Sequence, residues 1–484
     1  MYLYIAIILV IGWITRTLLR RLQEPPGPFP FPILGNVGLL CGNNFMKTAK
    51  DLCINYGNIV QFQRGEVTYV LINSHKIAKE VLKSPDFTAR PPDFFFDIIL
   101  AGGEDRIGFA SGHTWFGCRK IAQNALSTVS ARRNDLFMKS ANACTQWLLD
   151  KFEAFNGKSI VTKDLLLPCT GSISLSLIFG ISPNPDDERY QNIFNSLIAF
   201  VRYCGRSKAL QIGKLWPSVG PLVQAQRNEA VELLKKFVDS VKGLIDKYEP
   251  TEEQQTVSDA LFAAAERENF GFSQDEIKRI AVDLFDAGFF TTTDNMEWML
   301  LLMATHSDVT KRLQQELTTC LSPTELITVS DHWDQLIYTR ACVIEALRWV
   351  TNLPFSIAHM ATKDVMIEGR KIREGTTILP NLWLINRDPE TFQEPDQYIP
   401  DRFVDEGGQF NQTLAEKVVT FSLGKRRCLG ERLAVQELFL LLGNIMRKFR
   451  FTLDPSSVLA DPLEGTSTIN VFSSKPHKLI PHAI

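Results

Sequence analysis

The sequence has 484 residues, of which 45% are hydrophobic and 22% are charged, a composition close to the average of globular proteins. It argues against a disordered chain, a collagen-like repeat and a bundle of membrane-spanning helices. Lys and Arg number 52 against 54 Asp and Glu, a formal charge of −2, so no bulk attraction to nucleic acid is expected. The nine cysteines are scattered without a C-x-x-C pair, which predicts neither a disulfide framework nor a zinc ribbon.

The N-terminus carries a long apolar segment. Residues from Tyr2 to Leu19 are almost all hydrophobic apart from Arg16, and Arg20 and Arg21 follow. Because the arginines come after the apolar run, the order is opposite to that of a cleaved signal peptide and favours a cytosolic position for the rest of the chain. We predict an uncleaved membrane anchor over residues 1–21 with a luminal N-terminus. A buried N-terminal helix is the alternative.

A proline-rich segment follows the apolar run. Residues 25–32 read PPGPFPFP, and prolines with fixed φ angles and no amide donors make a stiff, extended chain. We predict a hinge over residues 22–35.

Residues 36–484 are predicted to form one large domain that is mainly α with a minor β-sheet. Two β-rich runs between Ile59 and Ser74 surround Arg64-Gly65-Glu66, which predicts a hairpin. Neither a repeat nor a linker divides the chain after Pro32.

Helical patterns dominate the rest of this domain. Ser273 and Glu276 have the spacing of a capping box and start a helix that is predicted to run to about Ala304, long enough to cross the domain. Further helices are predicted around residues 341–350 and after Cys428.

One cysteine has surroundings that suit a metal. Cys428 lies between Gly424 and Gly430 and directly follows the basic residues 425–427. Glycines let a backbone approach a flat cofactor, and a helix N-terminus and basic neighbours favour a thiolate. A single thiolate cannot build a closed zinc site, but it can be the axial ligand of a haem iron. An inert cysteine beside a solvated basic turn is the alternative.

The segment 421–430 resembles the haem-binding signature of the cytochrome P450 family, F-x-x-G-x-R-x-C-x-G. Other family motifs precede it in the family's order: W-x-x-x-R at 115–119, E-x-x-R at 345–348 and P-x-R-F at 400–403. The resemblance extends from the apolar N-terminus to about Val471. It implies a single P450-like domain with haem b, iron protoporphyrin IX, as cofactor and Cys428 as axial iron ligand.

The resemblance also implies roles for charged residues around the haem. Glu345, Arg348 and Arg402 are expected to form a buried cluster that holds the cysteine loop. The two haem propionates require donors, and the family pattern assigns them to Arg426, Arg119, the indole N–H of Trp115, and His359. For His359, a histidine without contact to the haem is the alternative. Phe421 and Gly424 complete the cofactor contacts.

Residues 286–292 resemble the oxygen-binding stretch of the family, A-G-x-[D/E]-T. Gly288 is expected to leave room over the iron, and Thr291 to relay protons while its hydroxyl bonds back to the preceding turn. Phe290 departs from the pattern, because the family usually has an acid there. We expect Asp286, one turn earlier, to replace that acid through water.

The segments that match substrate-contacting regions of the family are apolar, which favours a lipophilic small molecule such as a steroid, fatty acid or xenobiotic. Each aromatic residue in them is also a credible core residue. These segments are residues 94–100, 198–201, 353–355 and 469–472, with Phe285 and Phe289.

The activation of O₂ requires electrons, and the chain has neither a G-x-G-x-x-G motif nor an iron–sulfur cysteine spacing. The resemblance implies NADPH–cytochrome P450 reductase as partner, with cytochrome b5 as a second one, at the endoplasmic reticulum membrane with the catalytic domain facing the cytosol. Lys120, Lys425 and Arg427 are candidates for a docking patch, and simple surface solubility is the alternative.

Two other functions stay open at this point. Some members of the family rearrange or dehydrate their substrates without a reductase, and a non-catalytic haem protein would need no substrate at all. Thr291 argues against the first of these, and the stretch from Gly288 to Thr291 argues against the second.

Overall fold

The computed structural model describes residues 2–40, 45–92, 98, 106–131, 135–246, 248, 251, 255–268, 270–322, 325–457, 463–468 and 471–484. The helices are α1 Tyr2–Arg21, α2 Phe45–Tyr56, α3 His75–Lys83, α4 Gly112–Ala131, α5 Asp135–Ala154, α6 Thr162–Phe179, α7 Glu188–Arg206, α8 Lys208–Leu215, α9 Gln224–Ile245, α10 Val257–Glu268, α11 Gln274–Thr305, α12 Ser307–Cys320, α13 Val329–His332, α14 Ile337–Val350, α15 Leu382–Ile385, α16 Gln412–Ala415 and α17 Glu431–Lys448. Short 3₁₀ turns lie at Pro85–Phe87, Pro217–Val223, Pro400–Phe403 and Gly424–Arg426.

The strands are few and short. They are β1 Ile59–Arg64, β2 Val67–Ile72, β3 His359–Met360, β4 Val365–Ile367, β5 Arg370–Ile372, β6 Thr377–Pro380, β7 Phe449–Leu453, β8 Gly465–Thr468, β9 Val471–Ser474 and β10 Leu479–Ala483. The largest described sheet has the order β1-β2-β6-β3, and β1 and β2 form the predicted antiparallel hairpin. The prediction of a mainly helical domain with a minor sheet is confirmed.

The long helix α11 organises the core. It begins at the predicted capping box, in which the Ser273 hydroxyl accepts from the Glu276 amide and the Glu276 carboxylate accepts from the Ser273 amide. Most of its residues from Ile277 to Met303 are buried, because it packs against α6, α17 and β7. Phe285 and Phe289 are fully buried in this core, where the ring of Phe289 lies 5.3 Å from that of Phe194. These two predicted substrate contacts are therefore core residues.

The N-terminal region consists of α1 and the proline-rich segment. Several apolar side chains of α1 are exposed, among them Tyr4, Ile8 and Leu19. Among the described residues, no helix combines the length and the apolar character that a membrane span requires. The anchor over residues 1–21 stays a prediction.

The proline-rich segment lies against the sheet. The Pro26 carbonyl accepts a hydrogen bond of 2.8 Å from the Gln61 amide of β1. A Cβ on Gly27 would lie 1.7 Å from the Gln61 carbonyl oxygen, so a side chain at this position would push the segment away from β1. The predicted hinge residues are thus docked on the domain at this point.

Candidate active site

The Cys428 loop is held by its own backbone. The Cys428 amide donates to the Phe421 carbonyl at 3.0 Å, which closes the loop around the 3₁₀ turn. Gly424 has a φ of +71°, and a Cβ there would lie 2.0 Å from the Leu82 carbonyl oxygen of α3. This glycine thus allows close contact with α3, and it also lines the cavity that Cys428 faces; its predicted contact with a cofactor stays a prediction.

Cys428 opens into a cavity of about 1120 Å³ between α4 and the start of α17. The lining combines apolar and cationic side chains, among them Trp115, Arg119, Leu126, Cys428, Leu429, Arg432 and Leu433. A cavity of this size exceeds what a small polar metabolite requires. The thiol thus faces a space suited to a large, mostly apolar group.

The Cys428 thiol is accessible through the cavity but lies deep inside the protein. Burial raises the pKa of this thiol, and the backbone N–H groups of Gly430 and Glu431 and the charge of Arg119 only partly oppose the rise. The backbone donors at the start of α17 favour the thiolate as predicted, but desolvation outweighs them. A bound metal cation would supply the missing stabilisation.

Two buried arginines lie beside this loop. The Arg426 guanidinium donates to the carbonyls of Thr88 at 2.7 Å and Ala110 at 2.5 Å and lies 4.0 Å from the ring centroid of Trp115. Arg90 donates to the Gly108 carbonyl at 2.9 Å. It also donates to the carbonyls of residues 357 and 358, which directly precede β3. Both arginines are thus fixed by carbonyl oxygens, which leave their positive charges uncompensated.

The positive charges of these neighbouring arginines lower one another's pKa values. Burial, reinforced by the charges of Arg90 and Arg119, lowers the pKa of Arg426 to about 8. Burial and the charge of Arg119 lower the pKa of Arg90 to about 9. Among the described residues, no carboxylate forms an ion pair with any of these three arginines, so the group has an excess of positive charge that an anion would neutralise.

Two further polar atoms of the same group have no partner. Trp115 Nε1 and His359 Nε2 are buried without a hydrogen bond among the described residues. His359 Nδ1 donates to the Phe87 carbonyl at 2.8 Å, and burial with the charges of Arg90 and Arg426 holds its pKa well below the usual range. A neighbouring carboxylate would raise this pKa and allow Nε2 to carry a proton as well.

These residues fit a group with two carboxylates, such as haem. The structure brings together the four propionate partners that the sequence predicted, and it adds Arg90. No motif marks Arg90, because its partners lie 18, 267 and 268 residues away.

We expect Trp115→Phe to weaken haem retention about ten- to hundredfold, because a hydrogen bond to a charged group contributes about 1.5–3 kcal/mol. The change removes the unpartnered indole N–H and keeps a smaller aromatic ring beside Arg426. Haem transfer to excess apomyoglobin measures it. Trp147→Phe is the matched control, since its Nε1 donates to Asp186 at the surface; equal transfer rates in both variants would contradict the assignment.

The predicted buried cluster is confirmed. Both oxygens of Glu345 accept from Arg348, at 2.6 and 2.8 Å, and Arg402 reaches Glu345 at 3.1 Å. Glu345 and Arg348 have no exposed side-chain surface. Arg348 also donates to the carbonyls of Asn386, Pro395 and Gln397.

This cluster connects to the cysteine loop through Asn386. Its side-chain amide donates to the hydroxyl of Thr420 at 3.0 Å and accepts from the Val419 amide at 2.8 Å. The Thr420 hydroxyl in turn donates to the Leu347 carbonyl of α14. Because Thr420 precedes Phe421, the first residue of the loop, the buried ion cluster supports the Cys428 loop without facing its cavity.

The stretch of α11 around Thr291 has the predicted back-bonded hydroxyl. Thr291 Oγ1 donates to the Ala287 carbonyl at 2.9 Å, and Thr292 Oγ1 donates to the Gly288 carbonyl at 2.6 Å. Ala287 is exposed and Thr291 partly exposed, although the helix is otherwise buried. A Cβ on Gly288 would meet the Ser174 hydroxyl of α6 at 3.5 Å. A side chain at this position would thus point towards α6, and the expectation that Gly288 leaves room over the iron stays a prediction.

Asp286 has a partner that the sequence did not indicate. The Arg106 guanidinium lies 3.6 Å from its carboxylate, and 28% of the Asp286 side chain is exposed. Burial and the neighbouring Asp283 raise the pKa of Asp286 to about 6 against the opposing charge of Arg106, burial being the largest effect. A carboxyl group of this kind exchanges protons near neutral pH.

Two of the three predicted docking cations are ion-paired. Lys120 contacts Glu268 at 2.5 Å, and Arg427 contacts Glu431 at 2.6 Å in a bidentate pair. Lys425 is exposed. The basic character of this surface is therefore weaker than the sequence suggests.

The remaining predicted substrate contacts are only partly described. Residues 94–97, 99, 100, 469 and 470 lie outside the described residues, whereas Ile98 is buried and Ile198 and Val201 pack partly buried on the core. Phe355 packs against Phe45, and Phe472 stacks on Trp298 at 5.4 Å. These two aromatics thus have structural partners of their own.

Comparisons with known proteins agree with this geometry. The family model described as cytochrome P450 matches residues 25–481. Cytochrome P450 1A1 of Rattus norvegicus is 28% identical over 462 residues, which cover 91% of this chain and 87% of the relative. Cytochrome P450 1A1 of Mesocricetus auratus is 29% identical, with 92% and 88% covered. Cytochrome P450 2U1 of Bos taurus is 26% identical, with 93% and 88% covered.

Proposed function

Because the chain belongs to the cytochrome P450 family, we propose that this haem monooxygenase inserts one oxygen atom of O₂ into a lipophilic small molecule, with electrons from NADPH delivered by a membrane-bound reductase. The family carries haem b, whose iron binds and activates O₂ when it is held by a thiolate. The observation that carries the proposal lies beside Cys428. Arg90 and Arg426 are buried there without a carboxylate partner among the described residues, and the nitrogen atoms Trp115 Nε1 and His359 Nε2 are buried without a hydrogen bond.

Each part of the site has a separate task. Cys428 provides the iron ligand, and the buried arginines with Trp115 and His359 hold the propionates. The cluster of Glu345, Arg348 and Arg402 holds the cysteine loop in position through Asn386. In this proposal these groups bind and orient the cofactor, and the apolar surroundings exclude water from it.

Thr291 and Asp286 are the proposed catalytic side chains. The Thr291 hydroxyl is held by the Ala287 carbonyl and takes up protons that Asp286 supplies through water. Phe290, at the position where the family usually has an acid, carries no proton. The acid thus lies one helical turn earlier than in the usual pattern.

We expect Thr291→Ala and Asp286→Asn each to raise the hydrogen peroxide released per NADPH about tenfold, because a missing proton donor lets reduced oxygen escape. Peroxide and NADPH are measured with the holoenzyme and NADPH–cytochrome P450 reductase in phospholipid vesicles. Ser240→Ala, which removes an exposed helical hydroxyl with the same back-bond, is the control. Unchanged peroxide in both site variants would remove the proposed proton route, and no NADPH consumption in the native protein would favour a reductase-independent isomerase or dehydratase.

The cellular setting belongs to the proposal as well. The exposed apolar side chains of α1 and the basic residues Arg20 and Arg21 at its end suit a membrane surface rich in anionic headgroups. We place the chain at the endoplasmic reticulum membrane with the catalytic domain facing the cytosol, and cytochrome b5 is a second electron donor in this setting. A steroid, a fatty acid or a xenobiotic would suit its apolar interior.

A further inference from the structure

A short segment, residues 106–110, connects Arg90 and Arg426, the buried arginines proposed to hold the propionates, to the long helix α11. Its carbonyl groups face the arginines: Ile107 and Ala110 accept from Arg426 at 3.3 and 2.5 Å, and Gly108 accepts from Arg90 at 2.9 Å. Three of its five carbonyls are thus committed to the group that holds the cofactor. The segment lies immediately before α4, the helix that carries Trp115.

The other side of the same segment is bound to α11. Arg106 Nε donates to Asp283 Oδ1 at 2.6 Å, and the Ile107 amide donates to Asp283 Oδ2 at 2.7 Å. The far end of the guanidinium lies 3.6 Å from Asp286 Oδ2. Arg106 and Asp283 each have only 6% of their side-chain surface exposed. The arginine is thus fixed at one end by Asp283 and directs its other end at Asp286.

Arg106 faces two carboxylates on α11. Asp283 and Asp286 are three residues apart, which places them on neighbouring positions of the same helix face. Asp283 accepts two short hydrogen bonds, whereas Asp286 has the longer contact with Arg106. Asp286 is therefore held less closely by Arg106 than Asp283 is, and 28% of its side chain is exposed.

We propose that Arg106 is a positioning residue, which holds the Asp286 carboxyl group as proton donor five residues before Thr291. This inference rests on the proposed role of Asp286 in proton delivery. Because the 106–110 segment is bound to Arg90 and Arg426, the position of the proton donor also depends on the residues that hold the cofactor. Among the described residues, the charged groups that face Asp286 are Arg106 from this segment and Asp283 from α11 itself.

The sign of the effect on acidity follows from these charges. Arg106 lowers the pKa of Asp286 and Asp283 raises it, around a value of about 6 that burial sets. The loss of the Arg106 charge should therefore keep Asp286 protonated to higher pH, and the loss of the Asp283 charge should have the opposite effect. A purely structural role of Arg106 would give no such pair of opposite shifts.

The test uses holoenzymes and cumene hydroperoxide, which needs neither reductase nor a known substrate. Heterolytic O–O cleavage assisted by a proton donor gives 2-phenyl-2-propanol, whereas homolytic cleavage gives acetophenone. For the native protein, we expect the alcohol fraction to fall as the pH rises through about 6. In Arg106→Gln the midpoint should move up by about one pH unit, and in Asp283→Asn it should move down.

Three further variants complete the test. Arg106→Lys should keep the midpoint close to that of the native protein, because it retains the charge. Arg340→Gln, the matched control, removes a largely buried arginine beside Asp334 that lies outside the cluster and should leave the midpoint unchanged. Asp286→Asn should abolish the transition.

The outcomes separate the two proposals. A native transition that persists in Asp286→Asn, or the absence of any transition in the native protein, would overturn the proposed proton route and this inference with it. A transition that is lost in Asp286→Asn but has the native midpoint in Arg106→Gln and Asp283→Asn would overturn only the role of Arg106. If Arg106→Gln does not retain haem, the downward shift in Asp283→Asn decides.

Discussion

Replacement of Cys428 by serine is expected to abolish the red-shifted Soret band of the reduced carbon monoxide complex and to reduce oxygen insertion to background. A neutral hydroxyl is a poor replacement for a thiolate, because it neither loses its proton near neutral pH nor donates comparable electron density to iron. Absorption spectra of the reduced, carbon-monoxide-bound protein measure the effect directly.

The control for this change is Cys320→Ser, which alters an exposed cysteine at the end of α12 and should leave the spectrum unchanged. If Cys428→Ser kept the thiolate-type spectrum, another ligand would bind the iron. The assignment of the site would then be wrong, although the fold and the family membership would stand.

The second large effect is expected at the Glu345 cluster. Glu345→Ala leaves the fully buried guanidinium of Arg348 without its bidentate partner, and the loss of one partner of a buried pair costs about 3–5 kcal/mol. We expect a corresponding fall in the free energy of unfolding, together with partial loss of haem, because the cluster supports the cysteine loop through Asn386 and Thr420. Urea unfolding followed by fluorescence and by the Soret band measures both.

Glu232→Ala is the matched control, since Glu232 and Lys235 form a pair with the same spacing that is more than half exposed on both sides. Such pairs contribute less than about 1 kcal/mol. Equal effects of Glu232→Ala and Glu345→Ala would show that burial of the cluster is irrelevant to stability. A loss of stability without any loss of haem would separate the cluster from the cysteine loop.

Features with a local physical cause could be predicted from the sequence. The capping box at Ser273 and Glu276, the hairpin around Gly65 and the back-bond of Thr291 each depend on residues a few positions apart, and all three are present. The order of the motifs also predicted the cluster of Glu345, Arg348 and Arg402, which is present. It brought together four residues whose binding of the propionates stays a prediction: Trp115, Arg119, His359 and Arg426.

Other features depend on contacts that no local pattern marks. Arg106 meets Asp283 across 177 positions of the chain, and Arg90 meets the residue 357 carbonyl across 267. What a side chain would meet at a glycine also depends on distant residues: a Cβ would meet the Leu82 carbonyl at Gly424 and the Ser174 hydroxyl at Gly288.

The sequence by itself thus determined three features: one cysteine in a haem-binding signature, a helix that crosses the core, and a buried ion cluster. The tertiary structure alone decided how acidic or basic each group is, since the pKa of Cys428, Arg426 and Asp286 is governed mainly by desolvation. Desolvation and long-range charge depend on the atoms that packing brings within a few ångströms, and those atoms come from distant parts of the chain.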